Sequence, residues 1–457
     1  MEFNITDLNK LERGLGLKEA AALNMIDMVG IGPFIVIPLV IKDMNGPQAL
    51  LAWIVGAFIS LVDGFVWAEL GSAMPAAGGS YVFLREIYGP KSWGRLFSFL
   101  FIWQTIVQAP LVVASGSIGF SQYFSFLIPL SPLGQKLISG LVVILLVILL
   151  YRKIQTIGKI TLMLWIGVIG TIAWLIFGGA THFNPQMAFD FPKGSFDLSW
   201  LFFIALGSAT VKTIYTYLGY YNVCHLGSEI KQPEKNITRS IFISIGGITV
   251  LYLLMNISVL GVIPWREAAN SEFIMSTFVE KIYGSRAANF ATILVLWIAF
   301  SSLFAVLLGY SRIPYAAAVD GLFFKSFAKV HPKKHFPHVS LLVLGGLGFL
   351  FSMLFKLSDV INAILAMKII IQFIGQAVGI MIIHKNKPKE FFPYKMLLYP
   401  IPAIIAIFVW IGLFFSTGFY FAVGGIAMMV LGTIIFLFRS YKIKEWPFAK
   451  EGISDTY

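Results

Sequence analysis

One cysteine, Cys224, stands in the 457 residues of this chain, so an intramolecular disulfide is excluded and the redox compartment is left open. Charge is scarce too. Asp, Glu, Lys and Arg make up 12% of the residues and hydrophobic types 58%, whereas soluble domains carry about 25% charged residues. An ordinary soluble fold is excluded. Acidic residues are the rarer sign, 22 against 34 Lys and Arg. Histidine is sparse, and its one cluster, His331, His335 and His338 beside Lys333 and Lys334, is broken by Pro332 and Pro337. The helix face that would gather a metal is thereby lost, so a solvated basic loop is expected there, and no metal or other cofactor. No Gly-x-x-x-x-Gly-Lys-Ser/Thr segment occurs, which leaves ATP-driven chemistry without its motif. Nor do His, Asp or Glu cluster at the edge of an apolar run, as an enzyme acting on membrane lipid would need, and catalysis is not expected.

What the chain holds in abundance is apolar runs. About 20 apolar residues in a helix cross the hydrocarbon of a bilayer. Such runs lie at 20–41, 47–70, 95–128, 137–151, 160–180, 199–224, 239–263, 289–310, 338–355, 359–383, 397–416 and 419–438. An all-α integral membrane protein of twelve helices is expected, with one membrane domain over 20–438 and polar tails at 1–19 and 439–457. The N-terminal tail leads into no short apolar core with a small-residue cleavage site, which predicts no signal peptide. With the N-terminus in the cytoplasm, most Lys and Arg fall in loops on that side, and the positive-inside rule then puts both termini there, in a multi-pass protein of the cell membrane. The same distribution accounts for the net charge of +12 without nucleic acid as a partner. Asn-x-Ser/Thr matches at Asn4, Asn236 and Asn256 fall in a tail, a basic loop and a span, and such matches are common by chance. The amphipathic stretch Ser271 to Tyr283 reads either as a helix on the membrane surface or as an ordinary loop helix.

Two of the runs interrupt themselves. Gly30-Ile31-Gly32-Pro33 lies in the middle of the first. Inside a bilayer a broken helix is tolerated only where its freed backbone groups face protein or a water-filled cavity. The amides that open the second half-helix then form an anion site. A proline kink packed through two small residues is the competing reading. The sixth run turns aromatic and polar over Tyr215 to Asn222, with Gly219 where a helix prefers a larger residue. Spans one and six correspond if the first ten helices are two five-helix halves. Paired interruptions at corresponding places point to a transporter site at the membrane midplane.

Four segments, in order, resemble the amino acid-polyamine-organocation (APC) transporter superfamily. They are Val29-Gly30-Ile31-Gly32-Pro33-Phe34; Ala68-Glu69-Leu70-Gly71-Ser72-Ala73-Met74-Pro75 with Gly78-Gly79-Ser80-Tyr81-Val82 and Leu84-Arg85-Glu86; Ser228 to Ile237; and Ser311-Arg312 with Ala316 to Phe323. The resemblance implies a LeuT-type 5+5 inverted repeat plus two peripheral helices, with helices 1 and 6 interrupted. The repeats would cover about 20–180 and 199–383, and the peripheral helices 397–438. It also implies an amino-acid-like substrate moved by alternating access. Pro33 replaces a small aliphatic residue common in the motif, and Tyr220-Tyr221 is bulkier than usual at the second break.

An amino acid needs an anion site and acceptors for its ammonium. The amides of Ile31 and Gly32 can supply the first, and the carbonyls of Met28, Tyr215 and Leu218, beside Gly219, the second. The resemblance makes Tyr215 the gate over the substrate, against a packing role for the same ring. Gln104 and Gln108 share one helix face, which by resemblance looks toward the substrate side chain; interhelical hydrogen bonding is the alternative. Ser301 and Ser302 are candidates to back the cavity.

Charges inside a membrane are costly unless paired, and are functional candidates for that reason. Asp27, one turn before the break, is a candidate proton acceptor or ammonium partner. Lys159 resembles the lysine that occupies a sodium position in sodium-independent relatives, with a snorkelling lysine as the alternative. Asp63 reads as buried against another span, and Glu69 and Asp320 as gate residues paired with basic groups. Lys212 faces either the outer vestibule or lipid. The expected partners are an amino acid, the bilayer, and protons or a countersubstrate. A polyamine or organocation transporter of the same fold and a non-transporting amino acid sensor stay open.

Overall fold

Apolar runs survive in hydrocarbon as helices because every backbone donor and acceptor must be met within the segment. The computed structural model of the chain describes residues 11–354, 364 and 366–449. Asn4, Lys10, Lys356, Lys450, the outer parts of both tails and the junction of the expected spans 338–355 and 359–383 lie outside the described residues. Among the described residues there is no β-strand, only the isolated bridges Leu15–Ile230 and Ala77–Leu226.

The first run is two helices, α1 (Leu17–Met28) and α2 (Gly32–Met44), bent by 46° at their junction. Then come α3 (Leu50–Ala73), the short α4 (Ser80–Ile87), α5 (Trp93–Phe124), α6 (Pro132–Leu150) and α7 (Ile154–Thr181). The second half runs through α8 (Pro185–Ala188), α9 (Trp200–Tyr217), α10 (Asn222–His225), α11 (Pro233–Val262) and α12 (Trp265–Ala268). It continues with α13 (Ile274–Tyr283), α14 (Ser285–Tyr310), α15 (Arg312–Val319) and α16 (His338–Leu354). A helix over Ala366–Asn386, π-helical at Ile369–Ile374, precedes Ile401–Ser416 and Phe419–Ile443. Among the described residues eight helices are long and apolar enough to cross a bilayer, or nine if the bent α1–α2 pair is one span; α16 and Ile401–Ser416 are apolar but shorter.

Helix faces show which solvent each meets. On α6, Leu137, Leu141, Ile144, Leu145 and Ile148 are exposed at helical spacing, while Val142, Val143, Leu146 and Leu150 are buried. A helix with apolar residues on both its buried and its exposed face is built for lipid outside and packing inside. The interior is aromatic and polar by contrast. Trp53, Tyr217 and Tyr252 join α3, α9 and α11, with Tyr252 5.2 Å from each of the other two rings between centroids. The stretch Ser271 to Tyr283 folds largely as α13, which buries Ile274, Met275, Phe278 and Val279 and packs on α14, α2 and α7.

Candidate functional site

The break in the first span covers Val29 to Ile31, and Pro33 falls in the first turn of α2, where its missing N–H breaks no helix bond. Among the described residues the amides of Gly30, Ile31 and Gly32 donate to no backbone carbonyl. The second break covers Leu218 to Tyr221, between α9 and α10. Gly219 holds φ +124°, a conformation that favours glycine. The carbonyls of Tyr215 and Leu218 receive no backbone N–H among the described residues.

The two breaks touch. A Cβ on Gly219 would stand 2.8 Å from the Met28 nitrogen and 2.9 Å from Asp27 Cγ. From the other side α14 presses on Gly30, whose Cβ would stand 2.7 Å from Ser302 Oγ. The Ser302 hydroxyl donates to the Asp27 carbonyl at 3.2 Å. Across the junction the Tyr252 hydroxyl lies 2.7 Å from the Met28 carbonyl and 3.1 Å from that of Thr216, with one proton for two acceptors. Asn24 Oδ1 accepts from the Val223 amide at 2.9 Å, tying α1 to α10.

A cavity opens at this junction. Asp27, Met28, Gly30, Ile31 and Gly32 line it from the first break, and Tyr215, Thr216, Leu218, Gly219 and Tyr221 from the second. Val112, Ser115 and Gly116 of α5 and Ser302, Leu303 and Tyr310 of α14 face it as well, with Ile364 and Lys368. Among the described residues its lining carries one carboxylate and one ammonium, those of Asp27 and Lys368. Lys368 is buried and donates to the Tyr221 hydroxyl at 3.0 Å.

Of the residues singled out from sequence, Asp27, Met28, Ile31, Gly32, Tyr215, Leu218, Gly219 and Ser302 are therefore brought together. The Met28 carbonyl already receives Tyr252, which leaves it one lone pair. Ser301 instead donates to the Trp297 carbonyl of its own helix, at 2.7 Å. Gln104 and Gln108 are buried but do not line the cavity; Gln104 Nε2 and Oε1 and Gln108 Nε2 have no partner among the described residues. The helix meets the cavity one to three turns further on, at Val112, Ser115 and Gly116. Lys159 is exposed on α7, whereas Lys368 lines the cavity. Charge within an apolar run was the only sequence signal for Lys368. Tyr252, Tyr221 and Tyr310 gave none, since tyrosine in a span is ordinary packing material.

The remaining charges have other partners. Asp63 accepts from the Tyr220 hydroxyl at 2.5 Å and from Trp410 Nε1 at 2.9 Å, fastening the second break to α3 and to Ile401–Ser416. Lys212 reaches Asp43 and Ser208, so it is paired beside the far end of α2 and does not enter the cavity. His331 Nδ1 accepts the amides of Lys333 and Lys334, a local turn. Among the described residues no three His, Cys, Asp or Glu side chains gather as a metal site requires.

At the end of the bundle that carries the N-terminal segment, charged groups close the structure. Arg312 grips Glu229 with two hydrogen bonds of 2.7 Å, and both side chains are sealed from solvent. Arg85 lies 3.4 Å from Asp320, which also accepts the Tyr81 hydroxyl at 2.6 Å. Burial pushes the Asp320 carboxyl above the usual range, against the lowering pull of Arg85 and the Tyr81 hydrogen bond. Glu69 pairs with His384 at 2.8 Å and with the Met396 amide at 3.1 Å. The Gly14 and Leu15 amides both donate to the Glu229 carbonyl at 3.0 Å. The opposite end carries a wide polar cleft between α2, α5 and the approach to α13, lined by Lys42, Gln122, Gln135 and Glu272.

Residues 15–438 match the sequence profile of the amino acid permease family. The chain belongs to this family. That makes it a member of the APC superfamily and, with its apolar helices, a multi-pass integral membrane protein. It is similar to the serine/threonine exchanger SteT of Bacillus subtilis, 26% identical over 417 residues, 90% of this chain and 92% of that protein. With the branched-chain amino acid permease BcaP of the same organism it shares 24% identity over 455 residues, 94% of each. The human cystine/glutamate transporter is 25% identical over 407 residues, 87% of this chain and 79% of that protein.

Proposed function

We propose that this permease-family chain is a secondary transporter of amino acids, working by alternating access with proton coupling or exchange. The observation that carries the reading is the contact between the two helix breaks at Gly219, Met28 and Asp27, which frames a cavity with backbone groups left over for a ligand. The relatives above, named for serine and threonine, branched-chain amino acids, cystine and glutamate, support the substrate class.

The substrate carboxylate sits at the Ile31 and Gly32 amides, where α2 adds its positive end. The ammonium takes the free carbonyls of Tyr215 and Leu218, the second lone pair of Met28, and the Asp27 carboxylate. Tyr215 has its ring edge about 3.5 Å from where a Cβ on Gly32 would stand, a position suited to a gate. Gln104 and Gln108 lie on the continuation of the α5 face that reaches the cavity, and belong to the path that leads away from it. Adding the α1–α2 pair, the α9–α10 pair, α16 and Ile401–Ser416 to the eight long helices supports twelve spans. These divide as two five-helix repeats and a peripheral pair. The positive-inside rule puts both termini in the cytoplasm. The closed N-terminal end and the cleft opposite it then correspond to a state shut toward the cytoplasm.

Purified chain in liposomes, offered a radiolabelled amino acid panel under imposed pH, sodium and countersubstrate gradients, tests the proposal. Uptake of at least one amino acid, driven by a proton gradient or by internal countersubstrate, is expected. Failure of every amino acid under every gradient overturns it. Asp27→Asn is expected to impair uptake driven by a pH gradient, and unchanged uptake removes Asp27 from coupling.

A further inference from the structure

Lys368 is a buried cation with valence to spare. It is 3% exposed, yet it lines the central cavity. Its ammonium has three donors, and the acceptor found for it among the described residues is the Tyr221 hydroxyl at 3.0 Å. The Tyr310 and Tyr221 rings flank it at 5.1 and 5.6 Å from Nζ to centroid. Two rings at these distances recover only part of what burying an ammonium costs. Asp27 lines the same cavity, but no ion pair between it and Lys368 occurs among the described residues. The Lys368 ammonium thus keeps donors that a ligand anion can take.

Resting on the amino acid reading of this site, we infer that Lys368 is a second anion-binding point, and that the favoured substrate class is amino acids with an acidic side chain. The break amides and Asp27 take the carboxylate and ammonium common to all amino acids, which leaves the Lys368 ammonium for the side chain. Ile364, one turn away on the same face, and Val112 and Leu303 supply apolar contact for its methylenes. A fixed buried cation also disfavours a substrate that brings a second positive charge, so cationic amino acids and polyamines are the poorest ligands. Substrates with neutral side chains gain nothing from the lysine and fall between.

The test is equilibrium binding to the detergent-purified full chain, with L-glutamate, L-aspartate, L-glutamine, L-leucine and L-arginine as probes. A charge-assisted hydrogen bond lost from a buried site is felt as about tenfold or more in affinity. Glutamate or aspartate is therefore expected to bind at least about tenfold tighter than glutamine or leucine, and arginine weakest. Lys368→Met is expected to abolish the preference for acidic over neutral ligands, and Lys368→Arg to retain it. An unchanged preference in Lys368→Met, or equal weakening of all five ligands, overturns the assignment. If the variants do not fold, the wild-type order decides alone: leucine or arginine bound best refutes the inference and leaves the transport reading standing. Binding of none of the five refutes the inference, and the full amino acid panel in liposomes then decides the transport reading.

Discussion

The backbone of Gly219 lies against Asp27 so closely that a Cβ on the glycine would stand 2.9 Å from the carboxylate carbon, with φ at +124°. No side chain fits there without moving the first break. Gly219→Ala is expected to lose at least about 2 kcal/mol of stability, from backbone strain and overpacking together. Thermal unfolding in detergent checks it, and a variant that melts with the wild type would show that the breaks are not in contact.

Arg312 and Glu229 form the most deeply buried ion pair among the described residues, with exposures of 2% and 0%. Removing one partner strands the other in a low-dielectric site, at about 3–5 kcal/mol. Glu229→Gln and Arg312→Met should each destabilise by about that much, and the double variant by less than the sum. Additive losses in a double-mutant cycle would count against a coupled pair.

Tyr252→Phe deletes one hydroxyl that serves two carbonyls, those of Met28 and Thr216. Leaving a buried acceptor unmet costs about 1–3 kcal/mol. The expected outcome is a lowered melting temperature together with altered ligand affinity, because the proposed ammonium site includes the Met28 carbonyl. Changed stability with unaltered affinity would separate Tyr252 from the site.

Asp320 is an acid whose folded pKa is raised by burial. The folded state then holds the proton more tightly than the unfolded one. Its contribution is most favourable below the unfolded Asp value of about 3.9 and falls as pH rises through the higher folded value. The wild-type minus Asp320→Asn difference in melting temperature should therefore decline with rising pH above about 4. A difference that grows with pH would mean that Arg85 outweighs burial.

Lys212 pairs with Asp43 at 30% and 23% side-chain exposure. Such pairs contribute about 0–1 kcal/mol. Lys212→Met should leave stability nearly unchanged and the preference between acidic and neutral amino acids untouched, in contrast to Lys368→Met. Measured selectivity in the two variants compares the lysines directly.

What the sequence revealed of the site follows from how local each signal is. Gly30, Gly32 and Gly219 are backbone breakers, and a broken helix is written in the residues at the break, so both interruptions and their pairing were legible. Gln104 and Gln108 do not line the cavity. Val112 and Ser115 continue their helix face at steps of four and three, so periodicity found the face but not the depth at which the cavity meets it. Lys368 was not legible, since its meaning depends on how its helix is turned, and a π-helical stretch at Ile369–Ile374 begins at the very next residue. Lys159 fits a family pattern in sequence, yet its side chain is exposed. Spacing alone does not reveal which of two lysines a bundle folds inward.

The closed end holds a further lesson in its backbone. Gly14 and Leu15 donate to the Glu229 carbonyl, Lys231 to that of Leu15, and Gly78 to that of His225, at 3.0, 3.0, 2.8 and 3.0 Å. An alanine scan of this end would credit Arg312 and Arg85 with nearly all of its hold. These four bonds run between main-chain atoms, so truncating Leu15, Glu229, Lys231 or His225 to alanine leaves their donors and acceptors in place. Much of what keeps this end shut is therefore invisible to side-chain mutagenesis, and hydrogen exchange at those four amides is the observable that would see it open.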